Sequence, residues 1–194
     1  MTIERGEVWF RASGDSVPRQ ITRSGRDRDA RLSPDGRTIA FIRGTPGDSV
    51  DAGSGREEAG SLWIIPSAGG VARMLVRGRD DPAPERILAG LQSPQFSPDG
   101  RTLYFLSAAW ATSAAVHAVD VATGAERFVA PGNSLEVVPR GRYAGSLLVW
   151  QHRYFLVAGT YDWVWLITPD GKDVGPVGET EEAVAEFREM YVTP

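Results

Sequence analysis

Apolar residues in this chain come in short runs, rich in β-branched and aromatic side chains, and each run is cut off by Gly, Pro, Asp or Ser. Runs of this length bounded by turn residues predict β-strands. Gly6-Glu7-Val8-Trp9-Phe10 is one, followed by a polar turn from Ala12 to Pro18 and a returning strand, Arg19-Gln20-Ile21-Thr22. The same order recurs in Gly60 to Ile65 with Val71 to Val76, in Ala115 to Asp120 with Ala125 to Val129, and in Asp162 to Ile167 with Lys172 to Val177. Four outer hairpins result, whose anchors Trp9, Trp63, His117 and Trp165 lie about 50 residues apart. Between them stands a second phrase, Ser33-Pro34-Asp35-Gly36-Arg37 before Ile39-Ala40-Phe41, repeated as Ser97-Pro98-Asp99-Gly100-Arg101 before Leu103-Tyr104-Phe105. Each copy predicts a tight turn leading into a buried strand.

A period of this size with about four strands is the pattern of a β-propeller, whose small sheets bury their faces against one another. The fold class is therefore all-β: a partial β-propeller of about three and a half four-stranded blades with a C-terminal helix. Residues 1–178 hold the blades, with an outer hairpin at 6–22 and blades at 29–77, 93–130 and 134–177; residues 179–194 hold the helix. The third inner hairpin is eroded. It begins at Ser134, has Arg140 in place of the turn Asp, and continues either in Ser146 to Trp150 or in Tyr154 to Val157. Gly44 to Gly60 is polar and aperiodic, and reads as a mobile loop; Gly78 to Leu91 is a connector with a helical turn at Pro84 to Leu88. Ala183, Val184, Phe187, Met190 and Tyr191 recur at helical spacing, with Thr180 as the cap and Glu181 and Glu182 at the positive end.

Composition narrows the chemistry. The net charge of -4, with 24% charged residues, gives no basic excess for a phosphate backbone, so nucleic acid is not an expected partner. There is no Cys, which removes disulfides, thiolate nucleophiles and Cys-based zinc sites. No stretch reaches the apolar length of a membrane span. The compartment stays open: periplasmic or secreted if a signal peptide has been removed, cytoplasmic otherwise. No nucleophile elbow, His-Glu-x-x-His helix or phosphate-cradling loop is present, and no cofactor or metal is expected.

The two Ser-Pro-Asp-Gly phrases resemble the repeats of TolB-like propellers, and also the non-catalytic propellers of prolyl-oligopeptidase-type peptidases. The resemblance runs from Gly6 to Val177. It implies the fold more sharply than the function, since such propellers serve as binding platforms, gates to peptidase domains and enzymes. Members of the family close a ring of about six blades or more, whereas this chain supplies three full units and an outer hairpin. An open arc leaves an apolar face at each end. The C-terminal helix, a homodimer completing the propeller, or further blades would each cover one.

Asp35 and Asp99 read as turn formers rather than metal ligands, because turn chemistry accounts for every residue of the phrase. His117 stands at a Trp position and reads as half-buried packing. The candidate ligand-binding residues are His152, Arg153, Tyr154, Tyr161, Asp162 and Trp163, which converge at one blade edge if their strands pair. The plainer alternative packs Tyr161, Trp163 and Trp165 between blades and ties Arg153 to Asp162. The reading that follows is a non-enzymatic module recognising a protein, peptide or other ligand through its blade loops or central face. The alternative is a propeller hydrolase or lyase, or the accessory domain of a peptidase.

Overall fold

The computed structural model describes residues 1–53 and 55–193; Ser54 in the predicted loop and Pro194 at the end of the helical segment lie outside the described residues. In chain order the elements are β1 (Thr2–Glu4), β2 (Glu7–Phe10), β3 (Arg19–Gln20), β4 (Asp27–Leu32), β5 (Thr38–Arg43), β6 (Ser49–Ala52), β7 (Gly55–Glu58), β8 (Ser61–Pro66) and β9 (Arg73–Arg77). They continue with β10 (Gln92–Phe96), β11 (Thr102–Ser107), β12 (Ala115–Asp120), β13 (Glu126–Pro131), β14 (Glu136–Val137), β15 (Leu147–Tyr154), β16 (Thr160–Ile167), β17 (Asp173–Gly178) and α1 (Glu181–Tyr191). Three four-stranded antiparallel sheets, β4-β5-β8-β9, β10-β11-β12-β13 and β14-β15-β16-β17, are blades 2, 3 and 4, and the three-stranded sheet β1-β2-β3 is blade 1.

The repeat is kept residue by residue. Trp63 lies opposite Phe41 and Met74, His117 opposite Phe105 and Phe128, and Trp165 opposite Val149 and Pro176. Successive residues of a strand face opposite sides, so each blade sends alternate residues to its two neighbours. Ile39, Phe41 and Ile65 pack with Val8 and Ile21 of blade 1, while Ala40, Ile42 and Leu62 pack with Leu103, Phe105 and Val119 of blade 3. The other face of blade 3, with Tyr104, Leu106, Val116 and Ala118, meets Leu135, Leu147, Val149 and Ile167 of blade 4. Each of the Val, Leu, Ile and Phe side chains among them contributes about 1.5–3 kcal/mol on burial.

Outer latches reinforce these interfaces. Arg19 donates to the Ser67 carbonyl at 3.2 Å, Arg73 to the Val121 carbonyl, and Arg127 to the Pro169 carbonyl at 2.7 Å, each linking an outermost strand to the next blade's outer turn. Arg19, Arg73 and Arg127 stand opposite Phe10, Ile64 and Ala118. The matching position opposite Leu166 is Gly175, so the series of latches stops at blade 4.

Both Ser-Pro-Asp-Gly turns close alike. The Asp99 carboxylate accepts from Ser97 Oγ at 2.6 Å and Arg101 N at 3.1 Å, and Gly100 takes φ 71°. Asp35 and Gly36 repeat this with Ser33 and Arg37, and hydrogen bonds from these seryl hydroxyls hold both carboxyls below their ordinary range. Asp35 and Asp99 are turn formers.

Four details depart from the sequence pattern. Gly44 to Gly60 is not an irregular loop: β6 and β7 pair from Ser49 with Glu58 to Ala52 with Gly55. Val50 and Ala52 alternate with exposed Ser49 and Asp51 and are buried against Ala59, Ile87 and Ala89, an alternation too short to stand out among glycines and acids. Blade 1 has an additional strand, β1. The eroded hairpin continues in Leu147–Tyr154, and Phe155 to Gly159 form the turn that follows instead of a strand. The helical turn of the connector is a single 3-10 turn, Pro84–Arg86.

The two ends of the arc differ. α1, capped by Thr180 Oγ1 accepting from Ala183 N, lays Val184, Phe187 and Tyr191 over Leu148, Val164 and Leu166 of blade 4, and Tyr143 stacks on Phe187 with ring centroids 5.7 Å apart. At the other end Val8 turns toward blade 2, so Glu7 and Trp9 face outward, joined there by Gln20 and Thr2 opposite Trp9. Gln20 donates to Glu7, and this outward face is largely polar. Removing the Phe187 ring should therefore expose the far face of blade 4. Phe187→Ala is expected to lower the unfolding free energy by about 2 kcal/mol, because the ring is only partly buried, measured by denaturant titration against a Glu182→Ala control at an exposed position of the same helix.

Candidate functional site

Two places combine accessible surface with chemistry. The first is the one the sequence singled out. β15 and β16 pair in register, placing His152 opposite Asp162, Arg153 opposite Tyr161, Gln151 opposite Trp163 and Tyr154 opposite Thr160. Paired residues share a face, so the six candidates split: Arg153, Tyr161 and Trp163 lie on one side of the hairpin with Gln151, and His152, Tyr154 and Asp162 on the other. They share the hairpin but not one surface.

Their polar atoms are largely engaged within the molecule. Arg153 grips the Asp173 carboxylate at 2.7 and 2.6 Å, donates from Nε to Gln151 Oε1 at 2.9 Å, and lies 3.5 Å from the centroid of the Trp165 ring. The expected pairing of Arg153 with Asp162 is not formed, because a one-residue offset along paired strands puts them on opposite faces. Asp162 instead accepts from His152 Nδ1 at 2.9 Å. Trp163 Nε1 donates to Glu179 at 2.9 Å, and Tyr161 meets Trp163 edge to face at 5.3 Å. Tyr161 and Trp163 are half-buried, neither sealed between blades nor free. Beside them a groove of about 330 Å³ between β13 and β15 is lined by Phe128, Pro131, Gln151, His152, Arg153 and Asp173. His117 is not half-buried but fully enclosed, with Nδ1 2.6 Å from Glu126, whose other oxygen takes Arg79 at 2.7 Å. Burial raises the Glu126 carboxyl, but the hydrogen bonds and charges of His117 and Arg79 outweigh it and leave that carboxyl below its ordinary range.

The second place went unnoticed in the sequence. In each full blade the innermost strand, β4, β10 or β14, is a sheet edge. These edges border a cleft of about 680 Å³ whose floor includes Leu32, Phe96, Leu135 and Val137. Three of its polar residues, Arg31, Gln95 and Glu136, occupy one repeat position, because Leu32, Phe96 and Val137 immediately follow them and pair with Ile39, Leu103 and Leu147. Each stands three residues before the turn proline (Pro34, Pro98, Pro139), a signal that two intact phrases alone could have revealed. Gln95 bridges blades, donating to the Leu135 carbonyl and accepting from Val137 N at 3.0 Å as an added peptide group would. Arg188 of α1 reaches in to Glu136 at 2.8 Å and also holds Glu181. Arg31 is exposed and has no carboxylate partner among the described residues. Glu136 being matched by Arg188, the cleft is left with the positive charge of Arg31.

Among the described residues no three His, Cys, Asp or Glu side chains gather as a metal site, and no helix is long and apolar enough to cross a membrane. His152 with Asp162 has the form of an oriented base, but none of its described hydrogen bonds reaches a Ser, Thr or Tyr hydroxyl.

The antiparallel blades set around a common cleft make this a partial β-propeller. Comparison with solved structures bears on the same point. Putative TolB from Agrobacterium tumefaciens aligns over 91% of this chain and 56% of its own length, with a TM-score of 0.58 at 17% identity. Tricorn protease matches 90% of this chain and 15% of its own, with a TM-score of 0.62 at 13% identity. Dipeptidyl peptidase 4 of Porphyromonas gingivalis also reaches 0.62, at 10% identity over 91% of this chain and 30% of its own. At such identities the likeness is one of fold. In sequence, 96 residues are 38% identical to Uncharacterized peptidase YuxL of Bacillus subtilis (strain 168), amounting to 50% of this chain and 12% of that protein. The chain thus spans about half of the TolB structure and a small part of YuxL. No family model matches it.

The Arg153 fork offers a direct check on the hairpin base. Arg153→Lys keeps the charge but loses the bidentate grip and the stacking on Trp165, and should cost about 1 kcal/mol of stability, read by thermal unfolding. The Arg153 hydrogen bond holds the Asp173 carboxyl below its ordinary range despite an opposing effect of burial. A depressed carboxyl stabilises the fold above its unfolded pKa and loses that contribution as pH falls through the folded value. The stability difference between wild type and Arg153→Lys should therefore be full at neutral pH and shrink below about pH 4.

Proposed function

We propose that this chain is a non-catalytic binding module that takes an extended segment of a protein or peptide partner along the cleft bordered by β4, β10 and β14. The observation that carries this reading is the alignment of Arg31, Gln95 and Glu136 on three inner edge strands around one apolar-floored cleft. Edge strands offer unpaired backbone groups that an extended peptide can meet, and side-chain pockets beside them supply specificity. Gln95 already makes this kind of contact to β14, which leaves the edges of β4 and β10 for an added segment. With Arg188 matched by Glu136 and Glu181, the unmatched charge is that of Arg31, so a segment bearing an acidic side chain or a terminal carboxylate is favoured over a basic one.

The identity with a protein named as a peptidase supports the setting of an accessory domain, in which the arc would hold a chain for a separate catalytic unit. The same cleft would serve in either setting. The His152–Asp162 pair favours an enzyme less, for want of a nucleophile beside it.

Panning a displayed random-peptide library on the chain tests this. Selected peptides should be enriched in Asp and Glu, should protect backbone amides of β4 and β10 from hydrogen exchange, and should be recovered uncleaved. Arg31→Glu, a change at an exposed position, should weaken them about tenfold, the scale of one close charge contact. Protection confined to other blades, or binding indifferent to Arg31→Glu, would refute the proposal.

A further inference from the structure

The tip of the β15–β16 hairpin plays no part in the cleft and has a composition the fold does not require. Tyr154 and Phe155 are 69% and 58% exposed, and Leu156 and Val157 are essentially fully exposed. No charged residue occurs between Arg153 and Asp162. Soluble turns are ordinarily built from Gly, Asn, Asp, Ser and Pro, as the turns at residues 33–36, 97–100 and 169–171 of this molecule are. Four consecutive exposed apolar side chains at a projecting tip mark an interaction surface.

The order of residues along the hairpin says what kind. At its base are the Arg153–Asp173 ion pair and the hydrogen bond between His152 and Asp162. Next comes an aromatic collar, Tyr154, Phe155 and Tyr161, with Phe155 and Tyr161 in contact at 4.8 Å between centroids. At the apex stand Leu156, Val157 and Ala158, without a polar side chain. Charged, then aromatic, then aliphatic is the order of environments met on passing from water through the lipid headgroups into hydrocarbon. Leu156 stands four positions beyond His152, two of them in the strand, so it reaches at most about 13 Å past it at the usual rise, and interfacial segments sink about 5–10 Å. The apex can therefore reach the acyl region while the ion pairs stay among headgroups or in water. The Phe155 N–H is satisfied within the hairpin by the Gly159 carbonyl, easing its transfer out of water.

We infer that the β15–β16 tip is a shallow membrane anchor, with Leu156 and Val157 entering the outer hydrocarbon of a lipid bilayer and Tyr154, Phe155 and Tyr161 resting at its interface. The Arg153 charge at its base is taken up by Asp173 and Asp162 adds an acidic group, so the attraction is apolar and needs no anionic lipid. This anchor is independent of what the cleft binds.

The test is co-sedimentation of the chain with phosphatidylcholine vesicles. Wild-type protein should pellet with the vesicles, equally at low and high salt. In Leu156→Asp/Val157→Asp each substitution should weaken partition by about tenfold or more, with circular dichroism unchanged because both side chains are already in solvent. The chain has no Cys, so a polarity-sensitive dye can be placed at Val157→Cys, where its emission should shift blue on adding vesicles, and at the exposed outer-turn control Val71→Cys, where it should not. The inference is overturned if wild type stays in the supernatant, if the double variant pellets equally well, if binding requires anionic lipid and fades with salt, or if the tip proves to mediate self-association that the double variant abolishes in the absence of lipid.

Discussion

A four-stranded blade is apolar on both faces and has no partner within itself, so each face must find cover on a neighbouring blade. That requirement governs the molecule. It puts Phe41 and Trp63 on the side of blade 2 facing blade 1, and Ala40, Ile42 and Leu62 on the side facing blade 3. A one-residue slip in any strand would exchange the two sets. The latching arginines Arg19, Arg73 and Arg127 work at the outer rim, where an exposed hydrogen bond contributes little energy but fixes how one blade is set against the next. The end of the series at Gly175 coincides with the arrival of α1. Where blade-to-blade packing stops, the chain supplies a helix whose apolar stripe meets the same need.

Because the faces are committed to packing, chemistry is confined to edges and turns. The inner edges carry Arg31, Gln95 and Glu136, polar groups that would be expensive on a buried face but are tolerated where the strand borders a cleft. One enclosed polar group on a face, His117, is held with Glu126 and Arg79 in a chain of hydrogen bonds that replaces water. Its Nε2 has no described partner, so the substitution of His for the Trp of the other blades is only partly compensated. The structure gives no reason for that replacement.

The repeat, the turn chemistry and the C-terminal helix could be read from the sequence, because each is written locally: Gly36 and Gly100 at positive φ, Thr180 ahead of an acidic first turn, four spaced anchors. The β6–β7 pair could not, since two alternations among glycines carry too little periodicity. At the candidate site the hairpin pairing was legible, but its faces were not. Parity decides on which side a residue lies, and parity depends on register, which the sequence leaves open by a residue or more. Arg153 could thus be expected to meet Asp162, while the register sends it to Asp173 from the neighbouring strand. The cleft was missed for a different reason. Its residues lie far apart in the chain, and only the stacking of blades turns a shared repeat position into a shared surface.

A scaffold of this kind also makes its exceptions informative. The stability of stacked blades comes from nearest-neighbour faces, and turns at the rim add little provided they close. At most outer turns the residues are polar, as closure in water prefers. At Phe155 to Val157 they are apolar, although a polar turn would close the same hairpin: Leu156 and Val157 are essentially fully exposed, and Phe155 packs on Tyr161 at the tip itself. The fold therefore does not explain these residues. What does is a contact outside the chain, at a tip rooted in a rigid base by the Arg153 fork and the Trp163 to Glu179 hydrogen bond. A tip so rooted meets its partner in one orientation, which would hold the cleft of Arg31 and Gln95 at a fixed angle to whatever surface the hairpin enters.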